Sequence, residues 1–380
     1  MDLSEILLEE TRVTDWLKQL NENKRRNLVT GLVGSAKTLF LQTLFQELKR
    51  PLLIVTSDLY RMQELEDDLK NQVEPGTLYT FPVEEVVAAE MATSSPEFKS
   101  QRVQALNALA SGQAKLILTS VSGLRRKLPA VDYWRSLQLK LTVGSQLDLD
   151  ALGQKLTAMG YRRQKLVERP GDFAIRGEIV DVYPVAGLEA VRIDFFDTEI
   201  DSLRTFDVAS QRSIANLEKV SLAPASDFLV AKDDLKAAGV KLVADFEKLG
   251  PELSDAKQRQ ALQATVAQKA TAWQAGALTE TDLPWGAYLY PEEVTLLDYL
   301  SSAGLVIVDD YSRIVDKNQK LINDDQNWQV TKLASGELLP NLQLGFDSAE
   351  LLKNNQRTGS IFLAPFAKGM GGLRLVISSP

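Results

Sequence analysis

Apolar positions along the first 125 residues switch between two periods. Pro51-Leu52-Leu53-Ile54-Val55-Thr56 is an unbroken apolar run, which predicts a strand buried on both faces. Residues 37–48 instead place Leu39, Phe40, Leu44 and Leu48 at helical spacing, and residues 59–73 do the same with Met62, Leu65 and Leu69. Leu28-Val29-Thr30 reads as the end of an earlier strand. Residues 76–81 and 114–119 predict two more short strands, with a helix over 98–109 between them. Strands alternating with helices predict a parallel sheet joined by right-handed crossovers.

The pattern changes near residue 126. Spacing over 137–147 is strand-like, 148–159 is an amphipathic helix, and several short alternating strands follow to about residue 206. That is α+β composition. From residue 227 the chain turns helical, with an Ala/Gln-rich helix at about 255–275. The apolar strand Leu305-Val306-Ile307-Val308-Asp309-Asp310 then restores the α/β signal. The expected architecture is one α/β parallel-sheet domain, residues 1–125 and 213–380, split by an inserted α+β domain at 126–212.

Alternation within the insert sorts its residues onto two faces. One phase carries Phe173, Ile175 and Ile179, then Val191, Ile193 and Phe195, then Leu203, and is expected to be core. The opposite phase carries Arg176, Glu178, Arg192, Asp194, Phe196, Arg204 and Phe206. Arginine and phenylalanine interleaved with acids suit a protein-binding face, whose anchors are often aromatic or Arg. Equally open is that Phe196 and Phe206 pack beneath a helix of the same domain, such as that at 148–159.

The candidate chemistry lies in Gly31-Leu32-Val33-Gly34-Ser35-Ala36-Lys37-Thr38, one residue short of the phosphate-loop pattern G-x-x-x-x-G-K-[ST], because Ala36 replaces the second glycine. In a working loop, backbone N–H groups at a helix N-terminus cradle phosphate, the lysine adds charge and the hydroxyl meets Mg²⁺. The candidate nucleotide residues are Gly31, Gly34, Ser35, Lys37 and Thr38, with Asp309 and Asp310 as the acidic strand end. Ala36 adds a methyl where backbone must approach phosphate closely. A degenerate loop that has lost its ligand and weak ATP/Mg binding both remain open.

Composition narrows the chemistry further. The 380 residues contain no histidine and no cysteine, which excludes Ser-His-Asp and Cys-His catalysis and any imidazole or thiolate metal site within this chain. A net charge of −8 argues against a large nucleic-acid surface, so the clusters Lys24-Arg25-Arg26 and Arg125-Arg126-Lys127 are expected to be solvated faces. A protein partner is the better expectation. No apolar run approaches the ~20 residues of a membrane span, no secretory leader opens the chain, and the absence of cysteine fits a cytoplasmic location.

One long stretch resembles a known family. Arg169-Pro170-Gly171-Asp172-Phe173-Ala174-Ile175-Arg176-Gly177-Glu178-Ile179-Val180-Asp181-Val182-Tyr183-Pro184, with Val191-Arg192-Ile193-Asp194-Phe195-Phe196-Asp197 and Ile200-Asp201-Ser202-Leu203, is similar to the second domain of UvrB. It resembles more closely the same region of the bacterial transcription-repair coupling factors (Mfd). Phe81-Pro82 with Glu84-Glu85 also resemble the N-terminal module of that family. The resemblance implies a helicase-like (P-loop/RecA-like) domain split by an inserted domain that docks UvrA. It implies a fragment of a longer protein whose remainder engages RNA polymerase and duplex DNA as an ATP-dependent translocase. The function expected for this part is a non-catalytic adaptor that recruits UvrA to stalled transcription complexes for nucleotide-excision repair. The alternative is a UvrB-type subunit binding ATP and damaged DNA, which would need a second helicase lobe and an aromatic-rich hairpin; residues 81–96 contain no tyrosine. UvrA-contact roles carry over to Arg163, Arg176, Asp194 and Phe196, and to Phe195 although its phase points inward. UvrB has a basic residue at the position of Ala174, which this chain lacks.

Overall fold

The computed structural model describes residues 16–17, 20, 26–84, 95–113, 115–185, 189–250 and 253–365. Lys24, Arg25, Glu85 and most of the 81–96 segment lie outside the described residues.

A six-stranded sheet is assembled from β1 (Arg26–Thr30), β2 (Leu52–Thr56), β3 (Leu78–Phe81) and β4 (Leu116–Ser120), together with β13 (Leu305–Asp309) and β14 (Gly359–Ala364) from far along the chain. Its order is β1-β14-β13-β2-β4-β3 and every neighbouring pair is parallel. Both faces are covered by helices. That is why Leu52, Leu53, Ile54 and Val55 are all fully buried and why β2 reads as a continuous apolar run. On one face, Phe40, Leu41 and Leu44 of the helix Ser35–Leu48 join Met62, Leu65 and Leu69 of the helix Leu59–Leu69.

The insert begins with β5 (Leu139–Thr142), which returns much later as the antiparallel partner of β12 (Lys219–Leu222). Between them lie the helix Leu149–Ala158 and six strands: β6 (Arg162–Arg163), β7 (Asp172–Arg176), β8 (Ile179–Val182), β9 (Ala190–Phe196), β10 (Glu199–Phe206) and β11 (Ser213–Leu217). These form one sheet in sequence order. Asp148 caps the helix by accepting from the Ala151 N–H, and its buried face, Leu152 and Leu156, shares a core with Phe173, Ile193 and Leu203. The same apolar cluster continues without a break to Val103, Ile117 and Val306 of the parallel-sheet domain.

A third, helical unit follows. The helices Lys232–Leu249 and Ala256–Gln274 pack around Leu242, Leu262, Trp273 and Trp285. Among the described residues no helix is long and apolar enough to cross a membrane.

The three units meet at a buried charge cluster. Asp227, just past the insert, accepts from Arg102 Nε at 3.0 Å and lies 2.7 Å from Arg126 Nε, while Arg102 also donates to the Pro82 carbonyl. This corrects the expectation for Arg125-Arg126-Lys127. Arg125 is buried and the Arg126 side chain is only 9% exposed; Arg125 is paired with Asp325 at 2.5 Å and hydrogen-bonded to Asn318. Lys127 reaches Gln343 and lies 4.2 Å over the Phe346 ring. The cluster works as an internal joint, because its charges find partners only after distant segments have folded together.

Candidate functional site

Two candidate sites are available, and their geometry differs. In the insert, β7 and β8 are joined by the two-residue turn Gly177-Glu178, with Gly177 at φ 61°, a conformation glycine adopts without steric cost. A two-residue turn pairs Arg176 with Ile179, and paired residues share a face. Ile179 therefore lies on the outer face beside Arg176 and Asp194, not in the core with Phe173 and Ile175 as simple alternation suggested. Phe173, Val191, Ile193, Phe195 and Leu203 do line the core. Phe195 is only 4% exposed, so it offers no surface to a partner and leaves the contact set.

Phe196, one residue on, is 75% exposed. The outer face around it is a ladder of ion pairs. Asp181 is buried and takes Arg176 Nη2 at 2.5 Å, Arg192 Nε at 2.7 Å and Arg192 Nη2 at 2.9 Å. The hydrogen bond to Asp181 raises the Arg192 pKa, so that guanidinium stays charged. One strand over, Asp194 accepts from Ser202 Oγ at 2.7 Å and from Arg204. Arg163 is exposed but stands apart. Its neighbour Arg162 pairs with Asp172, while Arg163 is in register with Phe173 at the sheet edge, on the other face. Arg176, Asp194 and Phe196 thus share a face; Arg163 and Phe195 do not.

Phe206 resolves differently from Phe196. It is 1% exposed, in a small cluster with Val167, Ala174 and Ala190, on the outer face rather than beneath the helix Leu149–Ala158. Val167 reaches it from a segment tied to the sheet edge by Gln164 N–H to Phe173 O and by Arg169 N–H to Asp172. Arg192 lies 4.6 Å over the Phe206 ring. Ala174 belongs to this cluster, so a basic side chain there would be covered in this chain. Phe206→Ala is expected to destabilise the fold by about 3–5 kcal/mol, measured by denaturant unfolding, since it empties this second cluster. A loss under about 1 kcal/mol would show that the cluster closes over the gap.

At the second site, Gly31 (φ 89°) and Gly34 (φ 53°) turn the chain from β1 into the helix Ser35–Leu48. The helix starts at Ser35, two residues earlier than the spacing suggested, so Ala36 already packs against the apolar layer below. Lys37 Nζ donates to Asp309 Oδ2 at 2.7 Å, and the buried Thr38 hydroxyl donates to Asp68 at 3.3 Å. Both groups that a magnesium nucleotide would use are engaged with carboxylates of the chain. Asp310 does not stand beside Asp309 as a second acid: it adopts φ 59°, caps the helix Tyr311–Ala334 and pairs with Arg313 at 3.1 Å. Of the seven candidate nucleotide residues, the fold brings Lys37 and Asp309 together and turns Asp310 to a capping role.

Asp181 was absent from the sequence-derived set. The available signal was an acid inside the apolar run Ile179-Val180-Asp181-Val182, which the turn brings into register with Arg192.

Comparison with known proteins identifies relatives of the chain. The family model described as UvrB interaction domain matches residues 139–228. The transcription-repair-coupling factor of Bacillus subtilis (strain 168) is 32% identical over 338 residues, 89% of this chain and 29% of that protein. The proteins of the same name from Staphylococcus haemolyticus and Staphylococcus aureus (strain MRSA252) are each 33% identical, over 81% of this chain and 26% of theirs. The chain thus spans less than a third of the length of these relatives. With a parallel-sheet domain interrupted by a separate sheet, these matches make the chain a homologue, along most of its length, of the transcription-repair-coupling factors, with residues 139–228 matching the UvrB interaction domain.

Proposed function

We propose that this chain is a non-catalytic adaptor that docks UvrA through the outer face of the insert sheet. In the longer protein, the adaptor would bring UvrA to stalled transcription complexes for nucleotide-excision repair. The observation that carries this reading is Phe196, a large aromatic side chain held three-quarters exposed at the end of a well-packed strand, on the same face as the half-exposed guanidinium of Arg176. Exposing such a ring costs hydrophobic free energy that a partner recess would recover. The name of the matching domain and of the relatives points the same way.

The experiment is co-elution of the chain with UvrA in size-exclusion chromatography, without nucleotide or DNA. A stable complex is expected. Separate elution at concentrations of about ten micromolar would remove UvrA as the partner.

The adaptor reading treats the phosphate loop as a scaffold. With Lys37 neutralised by Asp309 and Thr38 facing Asp68, phosphate would have to displace carboxylates before it could bind. The chain is expected to show no ATP turnover above background, and Lys37→Ala is expected to leave UvrA co-elution unchanged. Steady-state hydrolysis that disappears in Lys37→Ala would restore an ATPase role.

A further inference from the structure

The outer face of the insert sheet has a vertical order of charge. Its two central carboxylates are sunk, with Asp181 1% and Asp194 16% exposed, whereas the arginines above them, Arg176 and Arg204, are 46% and 36% exposed. Arg192 sits between them with its guanidinium shared among Asp181, Gln211 and the Phe206 ring. The exposed acids Glu178, in the turn, and Glu199, in register with Phe196 and bonded to Gln146, stand at the rim. A partner approaching the centre meets guanidinium groups first and carboxylates only beneath them. A long arginine side chain left free would lose considerable rotamer entropy on docking. Here the buried acid has fixed it beforehand.

We propose that Asp181 is the positioning residue of this face, holding Arg176 so that the face recognises partner carboxylates set around an apolar recess that takes Phe196. The proposal rests on the UvrA-docking reading and adds the chemistry of the matching surface. Planar guanidinium groups suit carboxylates because two N–H groups can meet two oxygens. Asp181 itself never touches the partner.

The test titrates UvrA with the whole chain as native protein, Arg176→Ala, Asp181→Asn and the double variant, with a thermal melt of each to establish that it is folded. Arg176→Ala is expected to weaken binding by about tenfold, Asp181→Asn by a similar factor, and the double variant no further than the weaker single, since both changes remove one preorganised group. Should Asp181→Asn not fold, Asp181→Ser, which leaves room for water beneath the guanidinium groups, takes its place. Native-like affinity in a folded Asp181 variant, or losses that multiply to about a hundredfold in the double, would overturn the positioning role. Arg176→Ala binding like the native chain would instead overturn the docking reading beneath it. Native binding is also expected to weaken several-fold between about 0.1 M and about 0.5 M salt, as cations meeting carboxylates require. Salt-independent binding would contradict the acidic partner surface whatever the variants do.

Discussion

Asp227→Ala is expected to cost about 3–5 kcal/mol of folding stability, because it removes the buried carboxylate that the Arg102 and Arg126 guanidinium groups share. Arg102 is 2% exposed and Arg126 9%, so water cannot replace the lost carboxylate without opening the joint between the three units. The same cluster sets an acid limit. Burial alone would push the Asp227 carboxyl up, but Arg102 and Arg126 overcome it and hold the pKa well below the usual carboxylate range. A carboxyl with a depressed folded-state pKa contributes stability that is fully present above its unfolded value of about 3.9 and is lost as pH falls towards the folded value. Denaturant unfolding of the native chain should therefore weaken progressively below about pH 4, and Asp227→Ala should lack that part of the acid dependence. A mutant within about 1 kcal/mol of the native chain at neutral pH would show that the two arginines find other partners.

The adjacent phenylalanines of β9 should respond in opposite ways. Phe195 pairs in register with Ile200 on the inner face and belongs to the central core, so Phe195→Ala should destabilise by about 3–5 kcal/mol. Phe196→Ala removes an exposed ring and should stay within about 0.5 kcal/mol of native stability. Parallel melts of the two variants read this directly. Equal losses would mean that Phe196 is covered by another part of the chain, and the face would no longer be free for a partner.

How much of this was legible in the sequence depended on how locally each feature is determined. β2 and β13 were readable because strands buried on both faces need unbroken apolar runs, and the parallel sheet, though not its strand order, followed from their alternation with helices. The face bearing Arg176 and Phe196 was readable from period-two spacing alone. Ile179 was misplaced because a two-residue turn reverses phase, which depends on turn length rather than on composition. Phe206 looked outward-facing until Val167, from a segment 39 residues earlier, covered it. Arg125-Arg126-Lys127 read as a solvated patch because its partners Asp227, Asp325 and Gln343 are supplied by tertiary folding. The pairing of Lys37 with Asp309 spans 272 residues, and no local pattern encodes it. Asp310 differs again: its carboxylate caps the helix Tyr311–Ala334 by accepting from the Arg313 N–H, and an Asp ending a strand reads the same in sequence whether it caps a helix or meets a metal.

The most direct measurement is the equilibrium affinity of the chain for UvrA, titrated for the native protein and for Phe196→Ala with the melting temperature of both recorded. Truncating a central aromatic anchor costs roughly 2 kcal/mol or more, so the variant should bind about thirtyfold more weakly while melting like the native chain. Equal affinity of the two proteins, or no binding by the native chain, would contradict the assignment of this sheet face to UvrA.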